Sequence, residues 1–166
     1  MKIFTLISSV ILLSLSLAAH ADDATDCAAA KATFLSGTII SSPVFKPGKP
    51  KVRHGKHAEL SHTHLTFKDA KTNDIYDVAI DNVFATGYDQ AHHQVPAPLN
   101  TLTLGDTIHV CGITYNDNGK KGIHWVHTNC GAPSTEQKPN GFIKKLDAQG
   151  KPSKNLEANE EYCDLW

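Results

Sequence analysis

The chain is short of charge of either sign in excess: among its 166 residues, 16 Lys and Arg stand against 17 Asp and Glu, a net charge of −1. Without a strong basic balance it does not read as a nucleic-acid coat protein. Charged residues make up only 20% against 40% hydrophobic, too apolar a mixture for a wholly disordered chain. No long hydrophobic run follows residue 17, so no membrane-spanning helix is expected in the body of the protein. Several motifs are also missing. There is no C-x-x-C pair to suggest a thiolate metal site, and no G-x-S-x-G, H-E-x-x-H or P-loop pattern, which sets aside serine hydrolase, zincin and nucleotide triphosphatase readings. No internal repeat or low-complexity tract is evident. What remains conspicuous is ten histidines and four cysteines.

The first 21 residues read as an export leader. Lys2 supplies a positive start, residues 3–17 an apolar core, and Ala19-His20-Ala21 a small-x-small cleavage site. The mature chain is expected to begin at Asp22 and to form one domain over residues 22–166, in the periplasm or outside the cell. Thr25 and Asp26 precede Cys27 where a lipoprotein would carry small apolar residues, so no lipid or other stable membrane anchor is expected.

Export makes the cysteines a disulfide framework, because those compartments are oxidising. Four cysteines allow three pairings. A ladder in which Cys111 faces Cys130 centres its turn on Lys120-Lys121, which leaves Cys27 to bridge to Cys163. A tight turn at Asn118-Gly119 would shift that register and weaken the first pairing.

Along the mature chain, Ala-rich residues 22–31 suit a short helix, with acids early and Lys31 late. Residues 34–45, 60–67, 75–80, 107–115 and 123–128 carry β-branched and alternating patterns of strands, with turns at 69–74 and at Gly105-Asp106. Five short strands without a long amphipathic helix predict a mainly β protein, a small five-stranded OB-like barrel stapled by disulfides. Residues 133–166, rich in Lys, Pro, Asn, Gly and Glu, read as an irregular tail wrapped over the surface and held by Cys163.

Four segments carry a resemblance: Ser61-His62-Thr63-His64-Leu65-Thr66-Phe67, Gly105 to Gly112, Gly122-Ile123-His124-Trp125-Val126-His127, and Asn140-Gly141-Phe142-Ile143-Lys144. In these, over about residues 60–144, the chain resembles a family of small exported bacterial proteins catalogued as a domain of unknown function. The H-W-x-H element is the most specific of the four. In that family a second His and an Asp follow it, where this chain has Thr128 and Asn129. The resemblance implies a barrel and brings no established activity.

The histidines divide into groups. His62 and His64, two apart on a strand, project to one face, the spacing that a metal pair or an acid–base pair on a sheet requires, although polar strand positions also simply face water. His124 and His127, three apart, fall on opposite faces of a regular strand unless a bulge re-aims one of them. Trp125 shares a face with His127, either as a stacking platform for a ligand or as a core residue capping the barrel. His92 and His93 lie in a Pro-containing loop expected to cross the barrel mouth. Lys51 and Arg53 belong to the basic stretch 46–57, suited to an anionic ligand or equally to a bare linker, and His54 and His57 accompany them. His109 reads as a strand residue facing away from Ile108 and Val110.

Three functional readings follow. The first is a binding module in which His62, His64, Trp125 and His127, bordered by His92, His93, Lys51 and Arg53, hold a small or anionic ligand. Its metal version places Zn or Cu on His62, His64 and His127. The second is a phosphodiesterase or nuclease in which His124 or His127 moves a proton and a Lys or Arg stabilises the phosphate; only this one calls for nucleic acid. The third is a secreted inhibitor or interaction protein, held by its disulfides, whose histidines do no chemistry and whose partner is another protein.

Overall fold

The computed structural model describes residues 15–165, with side chains from Asp22 onward except Gln90. The apolar core of the expected leader therefore lies mostly outside the described residues. Helix α1 runs Leu15–Ala29, starting earlier than the expected 22–31, because Ala and Leu are strong helix formers on both sides of residue 22. It stops in a Schellman motif: Lys31 is left-handed at φ 61°, and the Ala32 and Lys31 amides donate to the Cys27 and Ala28 carbonyls at 3.1 and 3.0 Å. Ala32 packs against the small apolar cluster of Cys27, Cys111 and Phe142.

The rest is mainly β. The strands are β1 Thr33–Ile39, β2 Val44–Lys46, β3 Pro50–Arg53, β4 Lys56–Glu59, β5 His62–Asp69, β6 Ile75–Asp81, β7 Thr107–Asp117, β8 Lys120–His124 and β9 Phe142–Lys145. The expected strand 34–45 is thus two strands, broken after Ile39. The basic stretch read as loop or linker is a hairpin, β3–β4, turning on left-handed His54 and Gly55.

Pairings run β1–β5–β6–β8–β7 and return to β1, all antiparallel except β6 with β8. β1 can serve two partners because Gly37 sits where both meet: a Cβ there would stand 2.0 Å from the Lys68 carbonyl oxygen. Ile39, Leu65, Phe67, Val78, Ile80, Ile108, Val110, Ile123 and Ile143 point inward and form the main core.

The junction of β8 and β9 decides much of the rest. β7 pairs β8 through Ile113 opposite His124, and the turn lies at Asn118 and Gly119. β8 then leaves the sheet, and β9 takes its place along β7, with Phe142 opposite Cys111. The expected strand 123–128 cannot continue, since its neighbours' hydrogen bonds are already made by β9. Nor is the tail wholly irregular, for it supplies β9 and a bridge between Leu146 and Pro152.

The expected disulfides are corrected for the same reason. Continuing the observed register sets Cys111 opposite residue 126, not Cys130, and the bridges are Cys27–Cys111 and Cys130–Cys163. The first ties α1 to β7 beside Phe142. The second ties the segment after β8 to the chain's end. Two disulfides belong to a chain that folds where thiols oxidise. No helix among the described residues is long and apolar enough to cross a membrane.

Candidate functional site

β6 alternates Tyr76, Val78 and Ile80 on one side with Asp77, Ala79 and Asp81 on the other. The second row faces outward beside β5, where His62 stands opposite Asp81 and His64 opposite Ala79. His62 donates its Nε2–H to Asp81 Oδ1 at 2.8 Å. His64 donates from Nδ1 to both oxygens of Asp77, at 3.0 and 2.9 Å, and the Tyr115 hydroxyl donates to the same carboxylate at 2.9 Å. Each histidine therefore has its own acid.

His127 reaches Asp81 from the other side. It gets there because β8 ends at His124 and Trp125 takes a left-handed backbone, φ 58°. That residue breaks the two-residue alternation which would have sent His124 and His127 to opposite faces. His127 is buried, stacked on Phe84 with ring centroids 3.8 Å apart and planes 6° from parallel. Its Nδ1–H donates to the Thr128 carbonyl at 2.6 Å. Its Nε2 lies 3.3 Å from Asp81 Oδ2, in ion-pair range but without a hydrogen-bond partner among the described residues.

The electrostatics follow from this geometry. Burial pushes the Asp81 carboxyl up, but His127 and His62 outweigh it and hold the group well below the usual carboxylate range. The hydrogen bond to Asp81 raises His62, against the opposing effect of burial. His124 goes the other way, lowered chiefly by burial, with Asp81 opposing and the neighbouring His127 and His62 adding to the effect. Burial and Asp77 push the Tyr115 hydroxyl up to about 12. Behind the cluster, Glu157 is fully buried with neither carboxylate oxygen hydrogen-bonded among the described residues, and burial together with Asp81 raises it well above the ordinary value, which favours the neutral acid.

An open groove of about 660 Å³ lies over this floor, lined by Lys51, His62, His64, Asp81, Tyr115, His124 and Trp125, among others. The Trp125 indole N–H donates to the Pro139 carbonyl at 2.9 Å, which fixes its ring at the groove wall.

The expected site residues separate into those the groove gathers and those it does not. His62, His64, His124, Trp125 and Lys51 line it, and His127 lies beneath. His92 and His93 instead line a second depression with Phe45, His57 and Tyr88, where His93 Nδ1 is 3.1 Å from Glu59 Oε2. Arg53 closes β3 at the far end of its hairpin. The expected Zn or Cu site is not assembled: His64 is turned to Asp77, His127 is buried on Phe84, and among the described residues no three His, Cys, Asp or Glu side chains are grouped to hold a metal. His109 is on strand β7 as expected and is fully buried, with Nδ1 donating to Asp23 of α1 at 2.7 Å. Asp23 also pairs with Lys144, so this cluster joins α1, β7 and β9 structurally.

Sequence reasoning missed Asp77, Asp81 and Tyr115. The signal was present for the two acids, since assigning Tyr76, Val78 and Ile80 to one face assigns Asp77 and Asp81 to the other. Glu157 had no such signal. No protein-family model matches the chain, and no curated protein matches it.

Proposed function

We propose that the protein is an exported binding module, a small OB-like barrel whose closed circuit of β1, β5, β6, β8 and β7 carries an anion-binding groove on its β5–β6 face. The occupant is a small ligand with a negatively charged group and a planar ring. One observation carries the reading. A bulky aromatic residue, Trp125, is held in a left-handed backbone that costs on the order of 1–3 kcal/mol, and such strain persists where a site needs it. Here it sets the indole at the wall of the groove and brings His127 under Asp81. Asp81 in turn favours the protonated form of His62, a cation for an anionic group to meet, with Lys51 on the same rim. His124, Tyr115 and Trp125 offer ring faces for stacking. The groove's volume falls within the roughly 300–1,000 Å³ span of small-molecule sites.

Calorimetric titration at pH 6.5 with adenosine 5′-monophosphate, which joins both features, tests the reading. Binding is expected, weaker for uncharged adenosine, and at least about tenfold weaker, 1.4 kcal/mol, in His62→Ala and in Trp125→Ala. Equal affinity for adenosine and its monophosphate, or no binding of either, contradicts it.

A further inference from the structure

The groove holds two imidazoles placed on either side of a small floor. His62 stands on β5. His124 ends β8, one step beyond the paired residues Val78 and Ile123, which puts it beside Ala79 of the intervening strand. The two histidines thus flank β6 from its two neighbouring strands, offset by two residues along it because His62 faces Asp81 while His124 lies beside Ala79, and about 12 Å apart at the backbone by ordinary strand spacing. Asp81 anchors the Nε2 ring nitrogen of His62 at 2.8 Å. Tyr115 meets the His124 ring edge-on, at 5.5 Å between centroids.

We propose that this groove cleaves a phosphodiester that carries a neighbouring hydroxyl, as RNA does, with His124 as general base and His62 as general acid. The proposal rests on the groove being the anion site argued above. The His124 imidazole takes the proton of the 2′-hydroxyl, and that oxygen forms a bond to phosphorus. The bond from phosphorus to the 5′-oxygen breaks, and His62 gives its proton to that leaving oxygen. The products are a 2′,3′-cyclic phosphate and a 5′-alcohol. His124 leaves the step protonated and His62 neutral, and exchange with solvent restores both, so no co-reactant is needed.

The surroundings supply the two starting states. Asp81 favours the cation at His62, and burial favours the neutral ring at His124, a division that pairs acid with base near neutral pH. The groups that face this pair are Asp81 on β6, His64 on β5, Lys51 on β3, Tyr115 on β7 and His127 beneath the floor. Asp81 is a positioning residue, acting through His62.

The test uses the oxidised protein with adenylyl-(3′→5′)-adenosine and its deoxy counterpart in EDTA, with products resolved by chromatography. The ribo compound should give adenosine 2′,3′-cyclic phosphate and adenosine, and the deoxy compound should stay intact. His62→Gln and His124→Gln should each lose at least about 100-fold in rate. Circular dichroism and intact disulfides establish that these variants fold. The rate should follow a bell-shaped pH profile, and Asp81→Asn should move its alkaline limb to lower pH, a shift that a merely structural role for Asp81 would not cause. Adenosine 5′-monophosphate bound but the ribo compound uncut overturns the catalysis and leaves the binding reading intact. Neither bound nor cut overturns both. Cleavage of the deoxy compound, or a native rate in either glutamine variant, also overturns the proposal.

Discussion

Buried ionisable residues set the pH response of this protein. Burial and the nearby Asp81 raise the Glu157 carboxyl well above its ordinary value in the folded state, whereas in the unfolded chain it ionises near 4.3. Its contribution to stability is therefore full below that value and is lost as pH rises toward the folded pKa. His62, also raised, acts in the same direction, its contribution being lost as pH climbs above its ordinary value. His124 is depressed and opposes them, losing its contribution as pH falls. Glu157→Gln, isosteric with the neutral acid, should leave the melting temperature nearly unchanged at pH 4.5 and raise it at pH 8. Parallel melting curves across that range would contradict the buried-acid account. A second residue-level expectation concerns His109. In Asp23→Ala its buried Nδ1–H loses its acceptor and Lys144 its partner, a loss of about 1–3 kcal/mol in denaturant unfolding.

Strands and turns explain why the histidines meet. The handover from β8 to β9 along β7 leaves little space: a Cβ on Gly141 would lie 2.2 Å from the Trp125 carbonyl oxygen and 2.7 Å from that of Cys111. Gly141→Ala should therefore destabilise the fold by several °C and disturb Trp125, read as a change in near-ultraviolet circular dichroism. An unaltered indole signal would show that β9 does not press on this turn. The Cys27–Cys111 bridge spans 84 residues, so its removal in the double Cys→Ser variant should cost about 4–5 kcal/mol in the chain-entropy model. Peptide mapping without reduction should recover Cys27 linked to Cys111 and Cys130 linked to Cys163.

The same elements show what could be read in the chain. Period-two patterns located β5, β6 and the start of β7, and the spacing of His62 and His64 correctly put them on one face. The β8–β9 handover was not legible, because a strand pattern records which residues like to be extended and not which neighbour already occupies the edge. Both disulfides depended on that handover. The turn at Asn118 and Gly119 was visible as a competitor to the assumed register, and it is the turn the chain uses.

At the scale of the whole molecule, four separate stretches come together around one carboxylate: β5 through His62, β6 through Asp81, the left-handed turn after β8 through His127, and the tail through Glu157. Single-strand parity could not foresee a site built from a strand's departure. Disulfides at both ends of the arrangement, from α1 to β7 and from the β8 exit to the C-terminal turn, hold it in place. The central claim is that Asp81 favours the protonated form of His62 while burial favours the neutral ring of His124. Its direct measurement is the side-chain ¹⁵N titration of all histidines by NMR, in the native protein and in Asp81→Asn. The native protein should show His62 titrating above 6.5 and His124 below it, and in Asp81→Asn His62 should fall to 6.5 or lower. If His62 and His124 titrate together, or if His62 keeps its pKa without the carboxylate, the account is contradicted.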